Sequence, residues 1–231
     1  MKVWVAALIC ALAIGLAVSG PVEDGHSARW RGDTETALKL LLPLAEKGNV
    51  DAQHELGSIY LTGSGVPINL VEAARWYKLA ATQGNHTAQF VLGRMYDKGE
   101  GVPQDFAESL RWYKLSAAQG NDSAQYAIGE KYEQGRGVPR NHREAMRWYR
   151  MVAVQGFPWA QVKLGNMYQE GKEIPQDFVR AHLWFNLAAV HGDLDPAKQR
   201  DTIAQKMTPQ QIAEAQQLAR ECLASNYKNC N

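Results

Sequence analysis

The chain has 231 residues, with 25 Lys and Arg against 24 Asp and Glu. So even a balance excludes the strongly basic surface on which nucleic-acid or anionic-membrane binding depends. Neither kind of partner is expected.

In chain order, Lys2 precedes an uncharged run from Val3 to Val18, closed by the small residues Ser19 and Gly20. This pattern predicts a secretory signal peptide over residues 1–19, cleaved after Ser19, with retention as an anchor the alternative. As a helix the run spans about 24 Å, short of the ~30 Å hydrocarbon core, so no membrane span is expected after cleavage. The exported chain is expected in the periplasm first, with full secretion second. Residues 20–36 read as a linker and the start of a half repeat.

From residue 37 the chain repeats itself every thirty-six positions: RWYKLAATQGN begins at Arg75 and RWYKLSAAQGN at Arg111. The columns Ala52, Ala88, Ala124, Ala160 and Gly57, Gly93, Gly129, Gly165 keep that interval without insertion, as do Tyr60, Tyr96, Tyr132, Tyr168 and Trp76, Trp112, Trp148, Trp184. Ala52, Leu56, Gly57 and Tyr60 fall on one helical face, which predicts a first helix over about 50–62, ended by Gly63 and Gly65. Asn69 with Glu72, Asp105 with Glu108 and Asn141 with Glu144 have the form of capping boxes opening a second helix. That helix stops at Gly84 and its equivalents, where the chain can take a positive φ. A single helix pair of this size cannot bury its apolar face, so the copies are expected to stack into an all-α solenoid over residues 37–195, a half repeat followed by four full ones. The recurring Trp share a face with Ala73 and Ala80 and are expected in the core rather than in a ligand cage.

Residues 196–231 are expected to cap the array. Thr208, Pro209 and Gln211 form another capping box, followed by an amphipathic helix through Ile212, Ala215, Leu218, Ala219 and Cys222. Cys222 and Cys230 are the cysteines outside the signal and read as one structural disulfide; a redox or metal pair lacks C-x-x-C spacing and a nearby His. Gly-x-Ser-x-Gly, His-Glu-x-x-His and phosphate-loop patterns are absent, and the six His show no recurring ligand spacing, so no metal site and no cofactor are expected. One catalytic pattern does occur: Ser225 and Lys228 fit S-x-x-K, the nucleophile motif of penicillin-interacting enzymes, without its S-D-N or K-T-G partners. A cell-wall enzyme of that kind is the alternative to a non-enzyme.

The phrases A-x-x-x-L-G-x-x-Y, G-x-G-V-P and A-x-x-W-Y-x-x-A-A-x-Q-G, as in Ala88 to Gly120, resemble the Sel-one-like repeat (SLR) family, relatives of the tetratricopeptide repeats. The resemblance implies a right-handed α-solenoid of stacked helix-turn-helix units that acts as a non-catalytic adaptor, holding a protein or peptide partner in its concave groove. A monomer is expected. Disulfide-rich relatives of β-lactamase-like or penicillin-binding character carry paired cysteines in every repeat, and this chain has none between Cys10 and Cys222. By resemblance to tetratricopeptide arrays, the groove-lining positions lie three before, one after and four after the shared Gly. This places His54, Phe90, Arg94, Tyr126 and Glu130 in the partner-binding face, with Trp159 opening the fourth stripe. The fourth copy departs from the pattern at Gly171-Lys172-Glu173-Ile174-Pro175, where a different turn is expected, and at Phe157-Pro158-Trp159.

Overall fold

The structure, a computed structural model, describes residues 20–190 and 194–230. The expected signal peptide lies outside the described residues. Twelve helices run through these: α1 (Pro21–Trp30), α2 (Thr34–Glu46), α3 (Val50–Thr62), α4 (Leu70–Thr82), α5 (His86–Lys98), α6 (Phe106–Ala117), α7 (Asp122–Gln134), α8 (His142–Ala153), α9 (Pro158–Glu170), α10 (Phe178–Ala189), α11 (Leu194–Ala204) and α12 (Pro209–Ala224). Each odd-numbered helix up to α9 packs against the helix that follows it, and each pair packs on the next, giving the expected α-solenoid.

The invariant Gly sets the closeness of each pair. A Cβ at Gly129 would lie 2.6 Å from the Tyr149 ring, and one at Gly165 the same distance from Phe185, so any side chain would push the two helices apart. Trp76, Trp112 and Trp184 are buried in this packing and Trp148 is partly so, as their helical phase predicts.

Two expectations are corrected. Residues 21–30, expected as linker, form α1, the partner of α2. Gly25 meets Leu41 as Gly57 meets Tyr77, with Cβ approaches of 2.7 and 2.9 Å, and Leu41 stands one thirty-six-residue period before Tyr77. The turn between α1 and α2 holds three residues against seven between α3 and α4, so α1 is out of register by four and invisible to a fixed shift. The capping boxes within the repeats are also only half made. Asn69, Asp105 and Asn141 do cap their helices. Their own backbone N–H groups, however, donate to the carbonyls of Tyr60, Tyr96 and Tyr132 in the preceding helix at 2.8–2.9 Å. The glutamates, freed from that role, pair with arginine one turn on: Glu72 with Arg75 and Glu108 with Arg111. These arginines stack over Trp76 and Trp112, each 4.1 Å from the ring centroid. Among the described residues only Thr208 and Gln211 close a full box.

A ladder of buried glutamines ties the copies together. Gln53, Gln89, Gln125 and Gln161 donate to the carbonyls of Ala45, Ala81, Ala117 and Ala153 in the preceding copy. Gln83, Gln119 and Gln155 in turn donate to the first three. Gln89→Leu would remove the side-chain donor from the Ala81 carbonyl, which keeps the Gly84 N–H, and the acceptor of Gln119, an expected loss of ~1 kcal/mol, read as a lowered denaturation midpoint at unchanged slope.

In the fourth copy the turn keeps its left-handed residue although Gly is replaced: Glu173 has φ 58°. Its carboxylate lies 3.0 Å from His142 Nδ1 and accepts from the His142 backbone N–H at 3.3 Å, reaching the start of α8. At the C-terminal end Leu183 occupies the column of Arg75, Arg111 and Arg147 and is fully buried in one cluster with Ala219 and Cys222, so α12 covers this face of α10. Cys222 and Cys230 form the expected disulfide, and Arg150 Nη2 donates to the Cys230 carbonyl at 2.8 Å, holding the tail on α8.

Candidate functional site

The first helices of successive copies present equivalent positions side by side. Phe90, Arg94 and Asp97 of α5, Ser123, Tyr126 and Glu130 of α7, and Trp159 of α9 line one open groove of about 500 Å³. Tyr126 and Trp159 are shared with an adjoining hollow of about 420 Å³ that runs past Val162, Lys163 and Asn166 toward Asp195 and Pro196. The groove therefore brings together Phe90, Arg94, Tyr126, Glu130 and Trp159. His54 stands apart, in a separate hollow of about 450 Å³ with Val22, His26, Asp51 and Glu55 at the other end of the array.

The aromatic side chains are part wall and part packing. Phe90 lies 5.7 Å from Tyr113, and Tyr126 lies 5.0 Å from Tyr149, ring centroid to ring centroid. Trp159 meets Tyr126 edge to face at 4.5 Å and remains 38% exposed. Its column is otherwise small or polar, Asp51, Thr87 and Ser123, so Trp159 fills space that the other copies leave open.

Charge in the groove is organised in pairs, with two exceptions. Lys131 forms an ion pair with Asp97, and Glu133 accepts from Tyr149 Oη at 2.6 Å and from Lys163 Nζ at 2.9 Å. Burial, then the bond to Glu133, pushes the Tyr149 phenol far above its usual range, and burial does the same to Tyr126. Arg94 and Glu130 have no hydrogen bond or ion pair among the described residues, and Arg94 Nε is buried without a partner. Burial raises the Glu130 carboxyl above the ordinary carboxylate value; nearby Lys163 opposes the shift and Glu133 adds to it.

Glu130 therefore makes stability depend on pH. Between its unfolded and its raised folded value the folded chain binds more protons, so stability falls as pH rises through that window and stays lower above it. Glu130→Gln is expected to melt like the parent near pH 3 and higher than the parent near pH 7, a gain of order 1 kcal/mol or less given the partial exposure, checked by thermal melts at both pH values.

Lys131 was missed by groove reasoning, although a signal was present. Its column is otherwise Ile59, Met95 and Met167, and a Lys in a buried apolar column needs an anion, which Asp97 supplies. Ser225 and Lys228 are not assembled as a catalytic pair. Ser225 ends α12 instead of opening a helix, so Lys228 does not stand one helical turn above it. The Ser225 hydroxyl donates to the Cys222 carbonyl at 2.9 Å and accepts from the Asn229 N–H at 3.0 Å, while Lys228 faces solvent. Among the described residues no helix is long and apolar enough to cross a membrane.

The sequence matches the Sel1 repeat pattern four times, over residues 50–85, 86–121, 122–156 and 160–193. No curated protein gave a significant match. Among solved structures the chain is similar to c5321, a protective antigen present in uropathogenic Escherichia coli strains that displays an SLR fold. The two share 30% identity at a TM-score of 0.76, over 90% of this chain and 46% of that one, so this chain spans less than half of that antigen's length. It is also similar to a Sel1 repeat protein from Oxalobacter formigenes, with 29% identity, a TM-score of 0.69 and coverage of 89% of this chain and 77% of that one. With four repeats matched in register and the α-solenoid they predict, the chain belongs to the Sel1 repeat family.

Proposed function

We propose that this chain is an exported, non-catalytic adaptor that holds a segment of a partner protein in the groove across α5, α7 and α9. The observation that carries this reading is the convergence of three large, partly exposed aromatic groups with an unpaired Arg94 and an unpaired Glu130 on one face of a rigid array. Aromatic and Arg side chains concentrate binding energy at interfaces, and Trp159 stands 38% exposed where the other copies carry Asp51, Thr87 and Ser123. Export is supported by the N-terminal pattern of the sequence and by the Cys222–Cys230 disulfide, which persists in an oxidising compartment. The periplasm is the proposed address.

The test is capture from the native envelope fraction with the mature chain as bait, beside a Phe90→Ala, Arg94→Ala, Tyr126→Ala variant of verified helicity. A partner held by the parent and lost by the folded variant supports the reading. Equal capture by both would remove the groove from consideration.

A further inference from the structure

We infer that the groove is bipolar and takes an extended peptide segment that brings a Lys or Arg side chain to Glu130 beside Tyr126 and Trp159, and an Asp or Glu side chain to Arg94, about three to four residues away. The inference rests on the groove being the binding face and adds the chemistry of what it holds.

The remaining charges of the groove are already committed: Asp97 to Lys131, Glu133 to Lys163 and Tyr149, and Lys98 to Glu100. Among the described residues, Arg94 and Glu130 are the groove charges without an ion pair, and they occupy the same position in neighbouring copies, one thirty-six-residue period apart. Lys131 of α7 reaches Asp97 of α5, which puts these two helices on the order of 10 Å apart, and an extended chain rises about 3.3 Å per residue, which sets the three-to-four-residue spacing. Glu130 follows Tyr126 by four residues on α7, so carboxylate and phenol ring share one face, and the Trp159 indole closes on that ring from α9. A carboxylate flanked by aromatic rings suits the stem and head of a basic side chain, through an ion pair and cation–π contact together. Arg94 lines the groove without a hydrogen bond or ion pair among the described residues, and its terminal N–H groups suit a carboxylate through two parallel bonds. A segment of one charge sign would leave one of the two groups facing a like charge.

The test uses fluorescent ten-residue peptides of common Leu and Ser background, read by anisotropy with the mature, disulfide-bonded protein. One carries Lys and Glu four positions apart, a second the same pair in reverse order, and three more carry two Lys, two Glu or two Gln. One mixed peptide is expected to bind about tenfold more tightly than the Gln control. Glu130→Gln and Arg94→Gln should each erase about half of that preference in free energy, and the double exchange Glu130→Arg with Arg94→Glu should move it to the peptide of reversed order. If peptides bind, are released by Trp159→Ala, and show no charge preference, the bipolar inference is overturned and the groove reading survives. Binding untouched by Trp159→Ala, or no binding by any peptide, overturns the inference; in the first case the groove reading falls with it.

Discussion

Gly101→Ala is expected to destabilise the chain by ~2–5 kcal/mol, while the same exchange at Gly84 costs only ~1–2 kcal/mol. Both glycines have positive φ, 72° at Gly101 and 96° at Gly84, so both substitutions incur the left-handed strain of an L-residue. They differ in what a Cβ would meet. At Gly84 there is open space, whereas at Gly101 it would lie 2.0 Å from the Leu70 carbonyl oxygen and 2.3 Å from its carbon. Those atoms begin the second helix of the preceding copy and cannot turn aside as a side chain would, so the inter-helix turn must lift from its neighbour. Gly137 meets the Phe106 carbonyl oxygen at 2.5 Å in the same way, which makes the second Gly of G-x-G-V-P a device for joining copies as well as for turning the chain. Thermal melts of the two variants check the difference: in a chain of this size 1 kcal/mol moves the midpoint by about 2–4 °C, so Gly101→Ala should melt on the order of 10 °C below the parent.

The largest functional effect is expected at Trp159. Trp159→Ala should weaken partner binding by about 2 kcal/mol or more, roughly thirtyfold, with little change in melting temperature. Its indole is 38% exposed, lies in the first turn of α9 and touches Tyr126 and Phe157 at the edge of the core. Removing it opens the groove wall without emptying a buried site. Phe90→Ala and Tyr126→Ala are different in kind, because each ring also packs on a buried Tyr, so they should lower stability as well as binding. A Trp159→Ala variant that binds as the parent does would move the interface elsewhere on the array.

Much of the fold was legible because the repeat forces it: identical residues at a fixed interval must do the same packing work in every copy. The helices over 50–190, their Asn and Asp caps and the buried Trp follow from that periodicity. Helix α1 was hidden because a four-residue shortening of one turn breaks the register while leaving the Gly25–Leu41 contact intact. The capping boxes misled because the pattern of Asx with Glu three positions on specifies only the local half of the geometry. The other half was decided by the Tyr60, Tyr96 and Tyr132 carbonyls of the preceding helix, which take the N–H that the Glu would have reached. In the groove, residue position predicted that Phe90, Arg94, Tyr126, Glu130 and Trp159 would be neighbours. It did not predict which charges would be neutralised, because the pairing of Asp97 with Lys131 and of Glu133 with Lys163 crosses from one copy to the next. His54 was separated from the others by the same geometry that united them: it belongs to the first full copy and shares its hollow with Val22 and His26 of α1.

The most direct test of the adaptor account is site-specific photocrosslinking in the native envelope. Benzoylphenylalanine placed at Ser123, exposed within the groove, is compared with the same group at Lys114, exposed on α6. The account predicts a discrete crosslinked partner from the Ser123 position that is absent from the Lys114 position and lost when Trp159→Ala is added. A partner crosslinked from Lys114 and not from Ser123 would contradict it.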